Sequence, residues 1–139
     1  FSVELAGDGS YHIAAPRTTI GPVPWNEQGY PFFSGRGIYR CRFQLPEGFN
    51  GQRVFIEAPA ADDSLEVLVN GQSAGVRLWA PYNVDITEQV KPGENELEIC
   101  VANTLINLLE AKPRTSGLIG APILSVFPEF TLNWGSEDR

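Results

Sequence analysis

Residues 65–77 read Leu65-Glu66-Val67-Leu68-Val69-Asn70-Gly71-Gln72-Ser73-Ala74-Gly75-Val76-Arg77, and this stretch decides the fold. Residues 65–69 carry the two-residue alternation of a half-buried strand. Asn70-Gly71 then supplies two neighbours that tolerate positive φ, which is the strongest short-range hairpin signal a sequence can carry. Residues 72–77 become the return strand. A hairpin with one apolar face must bury that face against a second layer, so the expectation is a layered β structure.

The same pattern extends in both directions. In residues 38–45, Tyr39, Cys41, Phe43 and Leu45 fall on one face, read as inward, and Arg40, Arg42 and Gln44 on the other, before Pro46-Glu47-Gly48 ends the run. Residues 53–58 place Val54 and Ile56 together. Residues 82–86 form another short run. The turn Lys91-Pro92-Gly93-Glu94-Asn95 leads into residues 96–101, with Leu97, Ile99 and Val101 facing in. Residues 2–5 and 11–14 flank a Gly7-Asp8-Gly9 turn, and residues 119–127 and 130–134 close the chain. Only residues 87–90 and 104–111 have helical character. Residues 15–37, punctuated by Pro16, Pro22, Pro24 and Pro31, form a long surface excursion of the kind that often carries function. Eight or nine short strands joined by turns predict an all-β, two-sheet antiparallel β-sandwich, most simply a jelly roll. The length of 139 residues suits one domain over residues 1–139.

Charge and composition exclude several function classes. Ten basic residues against seventeen acidic ones give a formal charge of −7, and such a surface repels nucleic-acid backbones and anionic lipid. Neutral sugars meet no such penalty. No apolar stretch reaches the length of a membrane span, and no signal peptide is visible. The sequence starts at Phe1, two residues before a strand-like run, and reads as a piece of a longer polypeptide. Cys41 and Cys100 lie on opposite strand faces, which argues against a disulfide. Cys41 is expected to pack as a small hydrophobe. Cys100 and the lone His12 lack further ligands at metal-binding spacing.

No catalytic constellation emerges. There is no Gly-x-Ser-x-Gly elbow, and Ser34-Gly35-Arg36-Gly37 precedes a strand instead of opening a helix. Asp62-Asp63 is the most obvious carboxylate pair, but adjacent residues point apart, and a solvated turn is expected. The pair could contribute to a calcium site, because hard cations take carboxylate and carbonyl oxygens, but without a longer carboxylate ladder no structural calcium is predicted.

Several ordered pieces resemble a known family. They are Gly29-Tyr30-Pro31-Phe32-Phe33-Ser34-Gly35 with Ile38-Tyr39-Arg40 and Phe43; residues 65–75; Ala80-Pro81-Tyr82-Asn83-Val84-Asp85-Ile86-Thr87; Gly93-Glu94-Asn95-Glu96-Leu97-Glu98-Ile99 with Asn103-Thr104; and Ser116-Gly117-Leu118-Ile119-Gly120-Ala121-Pro122. Together they are similar to the galactose-binding-like jelly-roll domain attached to glycoside hydrolases, of the β-galactosidase/β-glucuronidase group or the α-L-rhamnosidase type. Rhamnosidase-type relatives often carry Asn-Arg after the Asn-Thr pair, where this chain has Asn107-Leu108. The resemblance implies a non-catalytic carbohydrate-binding or accessory domain of a bacterial glycoside hydrolase. Its partners would be carbohydrate and the catalytic domain of the same parent chain, and the parent would be periplasmic or secreted. The alternative is a structural module that packs on the catalytic domain without sugar affinity of its own.

Sugar sites combine an aromatic face with a few polar groups. Trp25, Tyr30, Phe32 and Phe33 with Arg36 occupy the first long loop, Trp79, Tyr82 and Asn83 a second connection, and Asn103, Asn107 and Arg114 a third. If these loops share one rim, Trp25, Arg36, Trp79, Tyr82 and Asn107 are the expected carbohydrate-binding residues. Of the aromatics, Phe33 and Tyr82 also suit a packing role.

Overall fold

The computed structural model describes residues 2–5, 7–8, 10–15, 19–61, 63–105, 109–110 and 114–128. Nine strands are present among them: β1 (Ser2–Leu5), β2 (Tyr11–Ala14), β3 (Arg36–Leu45), β4 (Gln52–Glu57), β5 (Ser64–Val69), β6 (Gln72–Arg77), β7 (Asn83–Asp85), β8 (Gly93–Ala102) and β9 (Ile123–Pro128). A 3₁₀ turn covers Trp25–Gln28. β1 and β2 form a hairpin of their own, β3-β8-β5-β6 form a four-stranded sheet, and β7-β4-β9 a three-stranded one. Every pairing is antiparallel.

The two larger sheets meet through their apolar faces, as the alternation demands. Val54 and Ile56 from β4, Val84 from β7, Leu65, Val67 and Val69 from β5, and Leu97, Ile99 and Val101 from β8 are almost fully buried in one cluster. Each full burial of such a side chain contributes roughly 1.5–3 kcal/mol, so this interlayer core is the dominant stabilising term. Asn70 at φ 51° and Gly71 at φ 79° make the expected two-residue turn, with Val69 opposite Gln72. The register of this hairpin then shifts at Val67/Leu68, a bulge on the β6 side. Asn70 also braces the end of the sandwich. Its Nδ2 donates to the carbonyl of Gln89 and to Oδ1 of Asn95, each at 2.9 Å, and its Oδ1 accepts from the amide of Glu96 at 3.0 Å. Asn95 is fully buried, and it is tied as well to both backbone groups of Lys91.

Three expectations are corrected. Cys41 is exposed and Cys100 is buried, the reverse of the expected assignment. Cys41 does share the inner face with its partner Leu97, but β3 is an edge strand, and there Cys41 borders an open groove with Ile20, Tyr39 and Pro122. Cys100 lies on the outer face of β8, a strand paired on both sides, and is flanked by Ile38 and Glu66. Residues 119–122 are not strand: Leu118 makes a single bridge to Ala60, and regular pairing starts at Ile123, after Gly120-Ala121-Pro122. Asp63 is not solvated but buried, and its carboxylate accepts from the amide of Gly117 at 2.7 Å. Asp62, half of the helix-like stretch at 104–111 and the expected strand at 130–134 lie outside the described residues.

Candidate functional site

The register of the four-stranded sheet places two of the sequence-predicted residues at one end of the sandwich. Arg36 pairs with Ala102, Ala102 with Ser64, and the neighbouring Leu65 with Arg77, so the segment after β6 that carries Trp79 leaves from the same end as Arg36. They belong to opposite edges of the sheet, however. Arg36 opens β3 and Trp79 follows β6, and these two strands lie three interstrand spacings apart, about 14 Å. That distance is too great for one pyranose ring and suits a short oligosaccharide.

At the Arg36 corner, the proline-rich excursion folds back over the end of the sheet. Gln28 organises it by bonding both backbone groups of Gly21, and its side chain is nearly buried. Asn103 stitches the next turn: its Oδ1 accepts from Gly35, and its Nδ2 donates to the Phe33 carbonyl and to Ser116. The result is a cavity of about 240 Å³ lined by Ile20, Trp25, Tyr30, Phe33, Arg36 and Gly37. Phe33 stands edge-on to Trp25 at 5.2 Å and to Tyr30 at 6.2 Å. Arg36 is exposed at its mouth. At the other corner, Trp79 is 72% exposed and Leu78 62%, just before the cis Ala80-Pro81 bond.

Of the other sequence-predicted residues, Trp25 and Tyr82 do not join them at the surface. Trp25 is 2% exposed, so it forms the inner wall of the cavity at the Arg36 corner and not an open stacking platform. Its indole N–H donates to the Tyr39 hydroxyl at 2.6 Å, and that hydroxyl also accepts from the amide of Leu118 at 3.2 Å. Burial pushes the Tyr39 phenol above its ordinary pKa, so it stays a neutral hub of this network. The indole lies between Gly37 and Gly117, where any Cβ would overlap it. Tyr82 is also core, its hydroxyl donating to the carbonyls of Ala61 and Asp63 at 2.8 and 2.7 Å. Asn107 lies outside the described residues, and Arg114 is exposed.

Sequence reasoning missed an aromatic pair on the outer face of the three-stranded sheet. Phe55 and Phe127 meet edge to face at 6.0 Å. The signal was present: alternation that puts Val54 and Ile56 inside puts Phe55 outside. Among the described residues, no group of three His, Cys, Asp or Glu side chains is placed to hold a metal ion. No helix among the described residues is long and apolar enough to cross a membrane.

Fold and rim together define a β-sandwich domain with aromatic and cationic groups displayed at one end. No family model matches the chain. It is 30% identical to a Formosa agariphila protein named "Putative beta-glucuronidase", in an alignment 145 residues long that covers 94% of this chain. It is 33% identical over 79 residues to a β-galactosidase of Thermoanaerobacter pseudethanolicus, a match that covers 55% of the chain. The chain spans only 12% and 10% of these two relatives. Among solved structures, the rhamnosidase from Novosphingobium sp. PP1Y superposes with a TM-score of 0.60 at 29% identity, over 77% of this chain and 12% of that one. The relatives and structural neighbours are thus glycoside hydrolases, and the chain corresponds to a small domain portion of each, as the sequence resemblance implied.

Proposed function

We propose that this chain is a non-catalytic carbohydrate-binding accessory domain of a bacterial glycoside hydrolase, acting in the same polypeptide as a catalytic domain. The observation that carries the reading is the rim: Trp79 is 72% exposed at one corner, and Arg36 stands over an aromatic cavity at the other. An open indole offers the stacking surface that the apolar face of a sugar ring needs, and a guanidinium donates to hydroxyls in a planar fork. Trp25 and Tyr82 support the rim from beneath, and Asn107 stays in the proposal as a group of the adjoining connection. The expected result is a weak calorimetric binding event at the rim with plant-type oligosaccharides, and Trp79→Ala removes that event. A blank glycan array together with blank calorimetry would reject it.

A second reading has its own support. Val76, Leu78 and Trp79 are 52, 62 and 72% exposed and follow closely in sequence, an apolar ridge of the sort that marks an interface. On this reading the domain packs its ridge on the catalytic domain and lends it no sugar affinity.

A further inference from the structure

The outer face of the β7-β4-β9 sheet carries a cluster separate from the rim. Antiparallel register arranges it in rows: Glu57 between Asn83 and Ile123, Phe55 between Asp85 and Ser125, and Arg53 beside Phe127. Their alternation partners Val54, Ile56 and Val84 are buried, so these side chains project away from the core. Phe127 is 53% exposed on the edge strand. Phe55, Glu57, Asn83, Ser125 and Phe127 line an open cavity of about 320 Å³.

The nearby cations are already committed. Arg53 holds the Asp85 carboxylate at 2.6 Å and lies 6.0 Å from the centre of the Phe55 ring. Arg77 donates to the backbone carbonyls of Asn83 and Val76, each at 2.9 Å. The polar groups of the cavity are not committed. Among the described residues, no hydrogen bond engages the side chains of Glu57, Asn83 or Ser125. A carboxylate, a carboxamide and a hydroxyl therefore surround two phenyl rings, and none of the five lining residues is a cation.

We propose that this face is a second carbohydrate site, selective for a neutral pyranose with adjacent free hydroxyls. Phe127 stacks against the apolar C–H face of the ring. Glu57 accepts hydrogen bonds from two neighbouring hydroxyls, the charge-assisted geometry that a carboxylate favours. Asn83, its cross-strand partner, donates to a third. Glu57 is the one charged group that lines the cavity, whereas Arg53 is paired with Asp85 and Arg77 is held on backbone carbonyls, so a uronate or a phosphorylated sugar meets the like charge of Glu57. The Arg36 corner imposes no such exclusion. This assignment rests on the reading that the domain binds carbohydrate, but it uses none of the rim residues.

The test is calorimetric titration of the 139-residue chain with cellotetraose, xylotetraose and galactotetraose, and with tetragalacturonate as the anionic counterpart. At least one neutral tetrasaccharide is expected to bind. Phe127→Ala and, separately, Glu57→Gln weaken it about tenfold or more, while Trp79→Ala leaves this binding event in place. Tetragalacturonate gives no heat that Phe127→Ala removes. Glu57 is exposed, so its variant keeps the test valid should Phe127→Ala unfold. Neutral-sugar binding that is lost in Trp79→Ala but unchanged in both face variants overturns this site and leaves the rim standing. No heat with any sugar overturns both. Sedimentation as a dimer that Phe127→Ala dissociates overturns the site in favour of self-association.

Discussion

At the scale of single residues, two glycines, Gly37 and Gly117, leave the space that the Trp25 indole fills. Gly117 has φ +86° and lies against the indole, so a methyl group there brings both steric overlap and a left-handed backbone that L-residues resist. Gly117→Ala is expected to lower unfolding free energy by about 2–3 kcal/mol in urea titrations, with the slope of the transition unchanged. Asp85 gives a pH dependence. Burial pulls its carboxyl upward, but the hydroxyl and amide of Thr87 and the Arg53 guanidinium outweigh that and hold it below the usual carboxylate range. A depressed native pKa stabilises the fold at pH values above the unfolded-state pKa, about 3.9, and that contribution disappears as pH falls through the native value. Asp85→Asn should therefore melt lower than wild type at pH 7, and the gap should close as the solution is acidified below about pH 4. A gap that stays constant with pH would mean that the carboxylate charge plays no part.

At the scale of elements, the turn after β5 shows why strands were readable and where reading failed. Local rules governed the hairpin, because positive φ at Asn70 and Gly71 is a property of those two residues. Replacing Asn70 by Ala removes three hydrogen bonds and a residue suited to φ 51°, and leaves buried Asn95 short of one partner. A loss of about 2–3 kcal/mol is expected, measured by chemical denaturation, and Asn70→Asp should recover part of it by restoring the bond from the Glu96 amide. The strand that begins at Ile123, and not at residue 119, failed for an equally local reason: Pro122 has no N–H to give a ladder. The cysteines failed for a different reason. Alternation tells which face a residue takes, but only the strand order tells whether anything covers that face. Cys41 is exposed, but the groove wall removes enough water to raise its thiol pKa, and burial with further help from Glu98 raises that of Cys100, so both should be poor nucleophiles at pH 7. Cys41 should react slowly with a disulfide reagent, and Cys100 only on unfolding. Fast modification of two thiols in the native chain would contradict the placement.

At the scale of the whole molecule, most of the fold was legible and little of the site. Layering follows from alternation within each strand, whereas a rim is assembled from segments far apart in sequence. Trp25 illustrates the difference: its loop position suggested a sugar platform, but Tyr39, Gly37 and Gly117 enclose it. Phe127 is the converse case, an outer-face aromatic that becomes meaningful only beside Glu57 and Asn83. The same consideration separates the two functions proposed for the ridge of Val76, Leu78 and Trp79. A side chain 62% exposed in the isolated chain has little stability to lose, so Leu78→Asp should leave the melting temperature of the 139-residue chain within a degree or two. In the full parent enzyme the outcome depends on what covers the ridge. Docked on a catalytic domain, Leu78→Asp buries an unpaired charge, and differential scanning calorimetry should show the domain melting separately from the rest. Left open for an oligosaccharide, the same substitution should leave the parent's melting profile intact and change only glycan binding. A parent profile insensitive to Leu78→Asp would therefore exclude docking through this ridge and leave the open rim as its explanation.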